Sequence, residues 1–146
     1  MLRRLREPLL LTLTLGLLIR ADIWVPVLIT GESTQPTLHA RQIAGLNKLA
    51  YLHRPPQRGD IVAVWTGNAL IIKRVIGLAG EEISAQDGIF LINGQVLSEP
   101  YVHFQGHLNI GPGRIGADQF VVAGDNRSKT LIAIVARERI VGRLVY

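Results

Sequence analysis

Two turn-forming dipeptides, Asp87-Gly88 and Asn93-Gly94, enclose the short apolar run Ile89-Phe-Leu-Ile92. Asn-Gly and Asp-Gly pairs tolerate two consecutive residues at positive φ, which reverses an extended chain within two residues. The run between them is too short for a helix and suits a strand, so this stretch must be a tight antiparallel meander. The same grammar governs the chain beyond residue 22. Ile61-Val-Ala-Val-Trp65 follows the turn segment Pro55-Pro-Gln-Arg-Gly-Asp60, and residues 69–76 form the next run, ended by Gly77. Residues 120–123 and 140–145 read as two more strands. Residues 131–139 fit a strand or a short helix equally, and residues 103–118, rich in Gly, His and Asn, read as a loop. There is no internal repeat and no low-complexity tract. The expectation is a mostly β fold, an antiparallel barrel or sandwich.

The start of the chain follows different rules. Arg3, Arg4 and Arg6 precede an uncharged, Leu-rich stretch over residues 8–19, closed by Arg20 and Asp22. Such a stretch is short for a bilayer span, which takes about 17–25 residues. Leu2 and Leu5 before it and residues 23–29 after it can lengthen it, with Arg20 snorkelling at the interface. A cleaved signal peptide has the same basic start, but no small-x-small site follows. A buried core helix is the other alternative, but the run lacks a polar face. The reading adopted is a basic start and single transmembrane helix over residues 1–22, with a β-rich domain over residues 23–146. The positive-inside rule places that domain outside the cytoplasm.

At 146 residues the chain has room for one domain. It has no Cys, which removes disulfides, thiolate zinc sites and a cysteine nucleophile. The net charge of +5 owes much to the three N-terminal arginines. The remaining basic residues are scattered and aromatics make up 5%, a poor match to nucleic-acid binding. Lysine is scarce: Lys48, Lys73 and Lys129 stand against 13 Arg.

Lys73 is the chemically interesting one. In Ala69-Leu-Ile-Ile-Lys-Arg-Val-Ile76, alternation puts Lys73 on a face with Ile71 and Val75, and Arg74 on the other with Ile72 and Ile76. If the strand is central, one cation points inward. Burial disfavours an ammonium and makes a lysine a candidate general base near neutral pH. Arginine does not deprotonate, so Arg74 would need a carboxylate partner. Periodicity by itself favours a plainer arrangement, an edge strand with Lys73 in water. Without Cys the nucleophile would be a Ser, a Thr or a carboxylate; of the four Ser residues, Ser33 lies in a turn-prone segment directly after the apolar start. Taken alone, Ser33 reads better as an ordinary turn residue.

Several boxes together carry a family resemblance. Gly31-Glu-Ser-Thr-Gln-Pro-Thr-Leu38 resembles the Gly-x-Ser-Met-x-Pro-Thr-Leu box of type I signal peptidases, with Thr34 in place of Met. Arg58-Gly-Asp-Ile-Val62, Ile72-Lys-Arg-Val-Ile-Gly77, Asp87-Gly88, Ile92-Asn-Gly94, Glu99-Pro-Tyr101 and Gly124-Asp-Asn-Arg127 follow in the family's order, from about residue 2 to the end of the chain. The resemblance implies a membrane-anchored serine endopeptidase that removes signal peptides from exported preproteins, cutting after small residues. Ser33 would be the nucleophile and Lys73 the general base, with no cofactor and no metal. Its partners would be preprotein signal peptides and the lipid bilayer, and its place the cytoplasmic (inner) membrane, crossed once, with the catalytic domain on the extracytoplasmic side.

The resemblance also assigns supporting roles. Gly31 stands where many relatives have a Ser that helps hold the oxyanion, leaving more to the Ser33 backbone N–H. Arg74 is expected to pair with Asp125. After Arg127 the family usually continues Ser-x-Asp-Ser-Arg, and its Ser orients the lysine. Here the chain reads Ser128-Lys-Thr-Leu-Ile-Ala-Ile134, so Ser128 or Thr130 would have to serve. That departure keeps two alternatives open: a specialised relative maturing pilin or conjugation proteins, and a catalytically weak membrane β domain that binds preproteins.

Overall fold

The structure, a computed structural model, describes residues 23–146. Eleven strands fall into two antiparallel sheets. In chain order they are β1 (Trp24–Leu28), β2 (Ile43–Asn47), β3 (Ile61–Trp65), β4 (Leu70–Gly77), β5 (Glu82–Gln86), β6 (Ile89–Ile92), β7 (Gln95–Val96), β8 (Ile110–Arg114), β9 (Gln119–Ala123), β10 (Ala133–Ala136) and β11 (Ile140–Val145). The large sheet runs β1-β2-β11-β3-β4-β9-β10, and the small one β7-β6-β5-β8. The barrel expectation is corrected: β1 and β10 stand at opposite edges of the large sheet, which does not close.

The opening turns behave as their chemistry requires. Asp87 and Gly88 have φ of 47° and 80°, Asn93 and Gly94 have 50° and 76°, and each pair reverses the chain within two residues. Two-faced burial explains the apolar runs. In β3, Val62 and Val64 enter one apolar cluster with Val75, Phe120, Val122 and Ile140, while Ile61 and Ala63 enter another with Leu38, Leu46 and Leu144. In β9, Val121 and Ala123 face a third cluster, formed with Ile76, Ile83, Phe90 and Ile115, that seats the small sheet on the large one. Each fully buried side chain of this size contributes about 1.5–3 kcal/mol.

Other expectations change. Residues 24–28, counted above as an extension of the apolar start, form β1, paired in full with β2. Pro26 is tolerated because β1 is an edge strand. The segment read as a loop contains β8, also an edge, whose sequence Ile-Gly-Pro-Gly-Arg hides it from propensity. Residues 131–139 divide into β10 and a single 3₁₀ turn, Arg137–Arg139. Most consequential is β4, which lies between β3 and β9, so Lys73 is not on an edge strand. Among the described residues no helix is long and apolar enough to cross a membrane. The helix expected over residues 1–22 lies outside them.

Phe90, 1% exposed, is the largest side chain holding the two sheets together. Phe90→Ala should cost about 3–5 kcal/mol, read as a lowered urea midpoint.

Candidate active site

Ser33 lies in the turn between β1 and β2, and its position is set by backbone contacts. Its carbonyl accepts the Asn126 N–H at 2.9 Å, and the turn closes locally through Gln35 N–H to Glu32 O and Leu38 N–H to Thr34 O. Thr34 and Leu38 are buried beneath it. The segment after β9 passes so close that a Cβ on Gly124 would lie 2.1 Å from Ser33 O and 2.8 Å from Thr130 Oγ1. Only glycine fits there.

Lys73 comes to the same place on β4. It is half-buried, and its Nζ donates to Thr130 Oγ1 at 2.7 Å. The Thr130 hydroxyl also accepts the Gly124 N–H at 3.1 Å and donates its own proton to Leu131 O at 3.1 Å. Its hydrogen-bonding capacity is therefore full, and towards Lys73 it acts only as an acceptor. Burial pushes the Lys73 amine below its ordinary value. Among the described residues no carboxylate pairs with it.

Ser33 and Lys73 line one cavity of about 330 Å³ with Leu28, Gly31, Leu70 and Ile71. The Lys73 bond runs to Thr130, and among the described residues no direct Ser33–Lys73 hydrogen bond is formed. Apo catalytic contacts are often open in this way. Gly31 sits in the cavity wall, and an added Cβ there meets nothing within 4 Å. Ser128 is turned elsewhere, its hydroxyl donating to Asn126 Oδ1 at 2.7 Å. Of the two hydroxyls the sequence offered for the lysine, Thr130 is the one in contact.

Behind the cavity lies a buried charge network. Arg74 (7% exposed) meets Asp125 (0%) bidentately, Nε to Oδ1 at 2.7 Å and Nη2 to Oδ2 at 2.6 Å. Thr37, in the same turn as Ser33, donates to that Oδ2. Arg74 also donates to Gly59 O at 2.8 Å and stacks over the Tyr101 ring at 3.9 Å. Burial alone would lower the Arg74 pKa; the Asp125 hydrogen bonds and charge outweigh it and raise it. Tyr101 donates to Glu99, which pairs with Arg127, and Arg127 lies over Phe90. Burial first, then the Glu99 carboxylate, raises the Tyr101 pKa, so the phenol stays neutral. The expected Arg74–Asp125 partnership is thus in place. Thr37, Glu99, Tyr101 and Arg127 were visible only as letters within boxes, with no spacing rule to give them contacts.

Ser33 and Lys73 thus share one half-buried cavity on an antiparallel scaffold, and the chain's relatives identify its class. The sequence pattern of the family described as signal peptidase, peptidase S26, matches residues 2–146. Signal peptidase I of Leptolyngbya laminosa is 37% identical over 149 residues, covering 92% of this chain and 73% of that protein. Signal peptidase I T of Bacillus subtilis (strain 168) is 32% identical over 155 residues, covering 93% and 79%. A solved signal peptidase I from Enterococcus faecalis V583 superposes with a TM-score of 0.54 at 26% identity, covering 63% of this chain and 98% of that one. The protein is a serine endopeptidase. It belongs to the signal peptidase family, peptidase S26.

Breaking one side of the buried pair tests the network. Asp125→Ala leaves the Arg74 guanidinium buried without its carboxylate and should cost about 3–5 kcal/mol, measured by urea unfolding.

Proposed function

We propose that the chain is a membrane-anchored endopeptidase that removes signal peptides from exported preproteins, with Ser33 as nucleophile and Lys73 as general base. The observation that carries this reading is a half-buried lysine, free of carboxylates and held by Thr130, in the same cavity as Ser33. The Ser33 hydroxyl attacks the carbonyl carbon of the scissile peptide while Lys73 takes its proton. The Ser33 backbone N–H stabilises the oxyanion, without help from a side chain at Gly31. As the C–N bond breaks, Lys73 returns the proton to the leaving amine. A water then attacks the acyl-enzyme with Lys73 again as base, releasing the carboxylate and restoring Ser33.

Thr130 fits this cycle because it can only accept from Lys73. The amine keeps an N–H on Thr130, and its lone pair stays available to Ser33. That contact supports turnover over the binding-only alternative, which rested on the shortened box after Arg127. Residues 1–22 would supply the single anchor, with Arg3, Arg4 and Arg6 on the cytoplasmic side. This sets the peptidase domain on the extracytoplasmic face of the cytoplasmic membrane, where signal peptides emerge.

Ser33→Ala and Lys73→Ala should each abolish cleavage of a model preprotein while circular dichroism stays unchanged. Full activity in either variant rules out the dyad. A lowered Lys73 pKa means that the neutral base appears as pH rises through that lowered value. The acid limb of kcat/KM should therefore lie below the ~10.4 of free lysine; a limb at the ordinary lysine value contradicts the assignment. Gly31→Ser fits the space beside it and adds a donor. It should raise kcat by less than the ~10²–10³ that one well-placed oxyanion donor is worth.

A further inference from the structure

A second and larger cavity, of about 640 Å³, opens beside the first. Phe90, Leu108, Ile110, Leu131, Ile132 and Ile134 give it an apolar lining, and Thr130 forms part of its wall. Leu131 and Ile134 are 84% and 62% exposed, although they lie on either side of two residues that pack into the core. An apolar hollow with exposed aliphatic rims is costly in water unless something occupies it. Thr130 is the link: its hydroxyl holds Lys73, which lines the catalytic cavity, while the residue itself lines this one.

Chain direction identifies the occupant. The catalytic cavity runs along β4 from Leu70 to Lys73, roughly 10 Å at strand rise. The acyl part of a substrate fills the Leu28–Leu70 end. The leaving nitrogen must lie at Lys73 Nζ, which protonates it. The residues after the scissile bond therefore continue past Lys73, and the next wall is Thr130. Resting on the dyad reading above, we infer that the cavity beyond Thr130 receives the first residues of the released chain and prefers aliphatic side chains there. The basic side chains in the same lining are already committed, Arg127 to Glu99 and His107 to Asp87, so an Asp placed there would lose water and meet no free cation. The site would thus read the substrate on the side of the cut opposite the signal peptide.

The test uses the full chain in detergent and preproteins identical through the cleavage site. They carry either Leu or Asp at the second and third positions after it. The expected result is a kcat/KM at least about tenfold higher for Leu. The Ile134→Ser and Leu131→Ser double variant should lose that preference. Both positions are exposed, so the fold does not depend on them. Cleavage indifferent to the following residues, or a preference that persists in the double variant, overturns this inference and leaves the dyad reading standing. Absence of any cleavage by the unaltered chain overturns both.

Discussion

The buried ion pair of Arg74 and Asp125 fixes what the rest of the site needs. Neighbouring residues on a strand point to opposite faces. Once Arg74 is drawn to Asp125 by two hydrogen bonds, and to Gly59 O by a third, Lys73 has only the other face of β4 available. The pair also sets the loops. Asp125 follows β9 and accepts from Thr37, so the same carboxylate ties the Ser33 turn to the strand that carries Lys73. A buried pair is poor evidence of net stability, since an apolar replacement often does as well. Its value here is positional.

Among the described residues no carboxylate pairs with Lys73. A carboxylate facing Lys73 would stabilise its ammonium form and raise the pKa. Arg74 occupies both Asp125 oxygens, and Arg127 does the same for Glu99. What remains around Lys73 is burial and one neutral hydroxyl, which leaves the amine lowered. This has a cost in stability. The penalty for burying the charged amine is present below the lowered pKa. It is relieved as pH rises from there towards the ordinary lysine value.

Much of this was legible in the sequence where local chemistry decides the outcome. The Asp-Gly and Asn-Gly turns located β5, β6 and β7, and alternation put Lys73 and Arg74 on opposite faces. What stayed hidden depends on neighbours. β1 and β8 carry Pro or Gly at edge positions where pairing overrides propensity. Lys73 read as an edge residue because periodicity cannot count the strands on either side of it. Thr130 could not be separated from Ser128, because the 3₁₀ turn Arg127–Lys129 decides which hydroxyl faces inward. That turn leaves Ser128 on Asn126 and presents Thr130 to the lysine.

Gly124 shows why the shortened box after Arg127 need not dismantle the site. The main chain there touches Ser33 O and the Thr130 hydroxyl at distances that exclude any side chain. Gly124 N–H donates to Thr130, and two residues later Asn126 N–H donates to Ser33 O. The Ser33 turn and the hydroxyl that holds Lys73 are therefore registered by one stretch of backbone. The Asp and Arg expected from the family's pattern after Arg127 are absent from Ser128-Lys-Thr-Leu-Ile-Ala-Ile134. A compact chain can dispense with them if that backbone is held by other means. Arg127 holds it, donating to Gly124 O at 2.9 Å while its guanidinium is locked on Glu99.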